Sequence, residues 1–283
     1  MQVKKMKDMN LAQVKLVVTD MDGTLLNDQG EVSNQFYSIF EQLKANDIHF
    51  VAASGRQYHS IVNKLYPIVE DITIIAENGG IAKRGAEELL VTQMDRKSVF
   101  ELITLLRKIE DSYIVLCGKK YSYIETSNET FIDLFNEYYA KYKRVDDLTT
   151  VSDDEFVKIA VYHFESSEAS IYPSVKHLED KLQVKVSGPN WLDISHPNAH
   201  KGYALQLLQH KLGFTPEQTM VFGDYNNDIE MLGLAQFSYA MDNAHPNVKK
   251  VAKYSTKSNE ENGVEHILQQ LVEAIEATKL QKL

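Results

Sequence analysis

The chain has 283 residues, room for one large domain or two ordinary ones, and its 43% hydrophobic and 25% charged content is that of a globular protein. A formal charge of -10 argues against nucleic acid or an anionic membrane as partner, while leaving room for a small anionic substrate at a locally positive site. One cysteine, Cys117, excludes an internal disulfide and a cysteine metal cluster, and fits a reducing compartment.

The N-terminal MQVKKMKDMNLAQ is basic without an apolar stretch behind it, and no run approaches the ~18 apolar residues of a membrane span. A cytoplasmic location is the expectation. Three apolar, β-rich runs follow, Leu16–Asp20, His49–Ser54 and Ile72–Asn78, separated by helical patterns over Asn34–Asn46 and Tyr58–Leu65. Such alternation of strand and helix predicts a parallel sheet covered on both faces.

Beyond Asn78-Gly79-Gly80 the pattern changes. A hairpin is predicted from Ile81–Lys83 and Leu89–Val91, then a helix over Asp95–Glu110, strands at Tyr113–Leu116 and Tyr121–Glu125, and a helix over Asn128–Lys141. A strand at Lys158–Phe164, a helix at Glu168–Leu182 and short strands at Val184–Ser187 and Trp191–Ile194 complete an α+β segment. Alternation resumes with helix Lys201–Leu212, strand Thr219–Phe222, helix Asn227–Leu232, strand Phe237–Ala240, helix Asn247–Ala252, a short strand near Tyr254–Thr256 and helix Gly263–Leu280. The expected fold is α/β: a doubly wound, Rossmann-like parallel-sheet core at residues 1–85 and 191–283, with an inserted α+β cap at 86–190.

Four polar clusters fall where core strands end, which is where open α/β sheets bind ligands. They are Asp20 with Asp22, then Ser54-Gly55-Arg56, then Lys201 at the start of a helix, and finally Gly223-Asp224-Tyr225-Asn226-Asn227-Asp228. Each has a plain alternative. Asp22-Gly23 is a turn signal, Ser54 could be a helix cap, Arg56 and Lys201 could be solvated, and Asp224–Asp228 could be a capped loop. A calcium loop starting at Asp20 is excluded, because Leu25 stands where the sharp bend needs glycine. The clusters gain weight by occurring together at the strand ends and helix starts of one sheet.

Together they resemble the haloacid dehalogenase-like hydrolases, and among them the Cof-type phosphatases. Asp20-Met21-Asp22-Gly23-Thr24-Leu25 matches the D-x-D-G-T-L motif, Ser54 the strand-end Ser/Thr, Lys201 the lysine, and Gly223–Asp228 the G-D-x-x-N-D motif. Asn78-Gly79-Gly80 resembles the step into the cap, and Met241-Asp242-Asn243-Ala244 the M-x-N-A stretch, with Asp242 where glycine is usual. The resemblance implies hydrolysis of small phosphate monoesters, sugar phosphates or phosphorylated cofactors, through an aspartyl-phosphate. Asp20 would be the nucleophile and Asp22 the acid and base, with Ser54 and Lys201 also catalytic. Ser54, Gly55, Arg56, Lys201 and Asn227 would bind substrate. Mg2+ would be held by Asp20, Asp22 (through its carbonyl) and Asp224, with Asp228 beside it. A phosphomutase of the same superfamily and a non-catalytic phospholigand sensor are the alternatives. An interaction module built on Tyr113, Tyr121, Tyr123, Tyr138, Tyr139 and Tyr142 is another, although those rings are expected to pack the insert. Oligomeric state is not readable from the sequence.

Overall fold

The computed structural model describes residues 10–281, so the basic N-terminal stretch through Met9 lies outside the described residues. In chain order, β1 (Leu16–Thr19), α1 (Asn34–Ala45), β2 (His49–Ala53), α2 (Tyr58–Lys64) and β3 (Thr73–Ala76) come first. Next are β4 (Ile81–Arg84), β5 (Glu87–Val91), α3 (Arg96–Leu106), β6 (Ser112–Gly118), β7 (Ser122–Ile124), α4 (Glu129–Tyr138), β8 (Tyr142–Arg144) and β9 (Phe156–His163). Short helices α5 (Ser167–Ser170) and α6 (Tyr172–Val175) lead to β10 (Gln183–Val186) and β11 (Trp191–Ser195). The chain closes with α7 (Lys201–Leu212), β12 (Thr219–Gly223), α8 (Ile229–Leu232), β13 (Phe237–Ala240), α9 (Pro246–Val251), β14 (Tyr254–Ser255) and α10 (Gly263–Leu280).

Two compact units result. The first holds the described residues up to Ser54, Pro67–Thr73 and the described residues from Lys201 onward; the second holds Gly55–Tyr66 and Ile74–His200.

In the first unit five strands lie in the order β14-β13-β12-β1-β2, all parallel. The chain leaves β1 for β2 on one side and reaches β12 on the other, so the strand order reverses at β1. That crevice is where a doubly wound sheet places a ligand. Leu16, Val17 and Val18 are fully buried, as strands covered on both faces must be. Helix α1 starts at Ser33, whose hydroxyl oxygen accepts from the Phe36 amide and whose O–H donates to Glu265 Oε1 of α10 at 2.6 Å. Its buried face packs Phe36 and Phe40 against Phe50 of β2, with ring centroids 5.3 and 5.7 Å away.

The second unit contains β3 from Ile74 onward, the antiparallel hairpin β4–β5 and a six-stranded sheet in the order β10-β11-β9-β6-β7-β8. Both faces of that sheet are covered. Leu116 of β6 and Ile159 and Val161 of β9 join one apolar cluster with Val99 and Ile103 of α3. Val115, Cys117 and Ala160 join another with Phe131 and Phe135 of α4. Tyr113 stacks on Phe131, Tyr139 stacks on Phe135 and Tyr142 meets Phe135 edge-on, so several of the tyrosines pack this unit.

Three sequence expectations differ from the structure. The helix expected over Glu168–Leu182 is broken, because Pro173 has no N–H to give the Ala169 carbonyl, and separate short helices form instead. The helix expected to reach Lys141 stops at Tyr138, and Tyr142–Arg144 becomes an edge strand parallel to β7. The second core segment, expected to start at residue 191, meets β11, whose pairing partners are β9 and β10; Trp191–Ser195 therefore belongs to the six-stranded sheet. No helix among the described residues is long and apolar enough to cross a membrane.

Candidate active site

Adjacent ends of β1 and β12 build the site. The Asp20 amide continues the β1 ladder by donating to the Phe222 carbonyl, so the chain places Asp20 beside the end of β12, from which Asp224 emerges. Lys201 opens α7 and is fully buried. Its ammonium donates to Asp20 Oδ1 and, at 2.7 Å, to Asp228 Oδ1. The second oxygen of Asp228 accepts from the amides of Asp224 and Tyr225 at 3.0 and 3.1 Å, which fixes the loop after β12. Thr24 donates to Asp224 Oδ1 at 3.1 Å.

Oxygens of Asp20, Asp224 and Asp228 lie within 4.8 Å of one another. Burial pushes the Asp20 carboxyl well above its ordinary value; Lys201 opposes that rise, and Asp228, Asp224 and Asp22 add to it. Burial and then Asp228 push Asp224 up to about 7. Burial disfavours the charge on Lys201, but Asp20 and Asp228 outweigh it and hold the ammonium protonated. Three carboxylates thus face one cation, and Asp20 Oδ2 is buried without a hydrogen-bond partner. A hard divalent cation suits this oxygen-only set and that orphaned atom. Both oxygens of Asp228 are already engaged, which favours Asp20 and Asp224 as the direct carboxylate ligands.

Two glycines make room for this arrangement. Gly23 has φ +75°, and a Cβ there would come within 2.5 Å of Asp224 Oδ2. A Cβ on Gly223 would meet Asp228 Cβ at 2.6 Å. Asp22 is exposed beyond the end of β1, Ser54 is buried at the end of β2, and Asn227 is half-buried in the turn before α8. Gly55 and Arg56 belong to the second unit. There the Arg56 guanidinium donates to the Glu137 carbonyl at 2.5 Å and lies over the Tyr138 ring, 4.8 Å from its centroid.

Thr24 and Asn243 received no role from the sequence. Asn243 donates to the Gly23 carbonyl at 2.7 Å and accepts from the Asn259 amide, tying down the loop that carries Asp22. The signals were present, since Thr24 sits inside the first motif and Asn243 inside the M-x-N-A stretch. Asp242, the departure from that stretch, is exposed, and its carbonyl accepts from Lys249.

The sequence pattern of the haloacid dehalogenase-like hydrolases matches residues 17–268. The chain belongs to that family. Among its relatives within this hydrolase family, the 5-amino-6-(5-phospho-D-ribitylamino)uracil phosphatase YbjI of Escherichia coli is 30% identical over 262 residues, spanning 92% of this chain and 96% of that protein. Phosphatase YwpJ of Bacillus subtilis is 25% identical over 287 residues, 92% of this chain and 100% of its own length. The crystal structure of SMU.1108c from Streptococcus mutans matches with a TM-score of 0.84 at 33% identity, covering 91% of this chain and 98% of that one. This member of the hydrolase family therefore aligns along nearly its whole length, motifs and insert included.

Proposed function

We propose that this hydrolase is a Mg2+-dependent phosphatase acting on small phosphate monoesters through an aspartyl-phosphate on Asp20, with the first unit as catalytic core and the six-stranded unit as cap. The observation that carries the reading is the buried Lys201 bridge between Asp20 and Asp228, which leaves Asp20 Oδ2 unpartnered beside Asp224. Lys201 fixes the orientation of the Asp20 carboxylate and balances its charge from behind, which suits it to attack on phosphorus while Oδ2 is left to meet the cation.

In the first step an Asp20 oxygen bonds to phosphorus while the bond from phosphorus to the ester oxygen breaks, and Asp22 gives its proton to the departing alkoxide. Water then attacks phosphorus and Asp22 takes its proton. The bond from phosphorus to Asp20 breaks, and inorganic phosphate leaves. Exposure of Asp22 beyond β1 suits a group that exchanges protons with ester and water. Ser54 would donate to a phosphoryl oxygen, with Gly55, Arg56 and Asn227 as further contacts. Lys201 would offset charge on both Asp20 and phosphate. Mg2+, held by Asp20, Asp224 and the Asp22 carbonyl with Asp228 behind, would neutralise phosphoryl charge when bound.

The name of the E. coli relative supports a substrate joining a polyol phosphate to a heterocycle, and we extend the class to sugar phosphates and phosphorylated cofactors. The test is phosphate release from such a panel with Mg2+ or chelator, beside Asp20→Asn. Metal-dependent release that is lost in the variant supports the proposal. No release from any ester by folded, Mg2+-loaded protein overturns it, and phosphoryl return to a sugar would identify a mutase.

A further inference from the structure

A second buried charge cluster lies outside this site, entirely within the second unit. Lys158 of β9 is 2% exposed and forms ion pairs with Glu77 at 2.8 Å and Asp193 at 3.4 Å. Its ammonium also donates to the Gly55 carbonyl at 3.0 Å. Asp193 in turn accepts from the Asn78 amide at 2.6 Å, and that amide presses on Gly55, where a Cβ would lie 3.1 Å from its nitrogen and oxygen. Glu77, Asn78 and Gly79 have φ of 52°, 55° and 99°, three successive residues in the left-handed region. Gly79 abuts the carbonyl of His200, the residue before Lys201.

Burying an ammonium with two carboxylates costs desolvation that a well-packed apolar trio would avoid, and left-handed backbone at Glu77 and Asn78 adds strain. Both features converge on Gly55. A Cβ at Gly55 would need Asn78 to give by a few tenths of an ångström, and glycine is the residue with the most conformational freedom to lose. The hydrogen bond from Lys158 fixes the plane of the peptide joining Gly55 to Arg56 and removes that freedom in advance. Gly55 is bonded directly to Ser54.

We propose that Lys158 is a positioning residue for phosphate binding, acting through the Gly55 peptide, with Asn78 and Asp193 as its supports. This rests on the reading of Ser54 and Gly55 as phosphate-binding residues. Lys158 itself touches no reacting atom; it pre-organises the loop that does, so that binding phosphate orders less chain.

The test is calorimetric titration of inorganic phosphate in Mg2+ into the wild type, Glu77→Gln and the charge-balanced Lys158→Met/Glu77→Gln, with steady-state kinetics on the best ester. Glu77→Gln is expected within about twofold of wild type. In the double variant phosphate is expected to bind about tenfold more weakly and KM to rise by a similar factor, with kcat within about twofold, because the loop serves ground and transition states alike. Lys158→Gln keeps a donor for the Gly55 carbonyl without the charge. It is expected to fall between the two and replaces the double variant if that protein does not fold. A folded Lys158 variant that binds phosphate as wild type does, or a wild type that binds none, overturns the proposal. Turnover is scored separately: wild type that binds phosphate but cleaves no ester removes the phosphatase reading and leaves this comparison decisive.

Discussion

Replacing Lys201 with methionine probes the centre of the site. Lys201 is fully buried and its ammonium donates to both Asp20 and Asp228, so the variant leaves two buried carboxylates without their shared counter-charge. Breaking a buried pair by removing one partner costs about 3–5 kcal/mol. At about 2–4 °C per kcal/mol for domains of this size, the melting temperature should fall by roughly 6–20 °C. The sign of the pH dependence follows from Asp20, whose carboxyl is already pushed up by burial against the opposition of Lys201. Without the ammonium it rises further and holds its proton in the folded state at pH values where the unfolded chain has released it. Stability conferred by a raised carboxyl is present at low pH and declines as pH climbs through the folded value. The gap between variant and wild type should therefore widen from pH 5.5 to pH 8 in chelator, and narrow when Mg2+ supplies positive charge. Differential scanning calorimetry at both pH values reads all of this. A melting temperature at pH 8 within about 2 °C of wild type, or a gap that shrinks with rising pH, would refute the reasoning.

Asp224, pushed up to about 7 by burial and by Asp228, must lose its proton to hold a cation, so Mg2+ uptake should release protons at pH 6.5 and release few by pH 9. Titration in two buffers of different ionisation enthalpy measures the release, and identical heats at pH 6.5 would count against Asp224 as a ligand. Gly23→Ala forces a Cβ into Asp224 Oδ2 at a left-handed residue, for a cost of at least about 1–2 kcal/mol. Mg2+ affinity should drop about tenfold or more with it, since the displaced oxygen belongs to an expected ligand. A variant binding Mg2+ as tightly as wild type would dissociate the glycine from the metal site.

Much of the fold was legible because the strands near the site are short apolar runs ending in polar residues. Phe237–Ala240, Lys201–Leu212 and Gly263–Leu280 stand where their patterns put them. The carboxylates and lysine of the first unit were legible because each belongs to a local motif of a few residues. Two of the three misses share a cause, which is that tertiary pairing overrode local pattern, whereas the break in Glu168–Leu182 comes from Pro173 itself. Tyr142–Arg144 is charged and short, and only alignment against β7 makes it a strand. Trp191–Ser195 falls just inside the expected second core segment, yet it pairs with β9. Glu77, Lys158 and Asp193 come from three distant segments with no shared spacing, so nothing in the linear order announces that they meet.

The parallel pairing of β1 with β12 has a consequence for how the protein is made. Lys201 meets Asp20 across 181 residues of chain. At about 5–20 residues per second, translation leaves roughly 10–40 s between the synthesis of Asp20 and that of Lys201. During that interval the segment bearing Asp20 has neither β12 to lie against nor Lys201 to balance it, while the six-stranded sheet between them can pair strand with strand as it emerges. The buried charge cluster thus assembles only once α7 and β12 have been made. A ribosome-bound chain stalled before Lys201 would carry the first motif intact and yet hold Asp20 without its buried counter-charge.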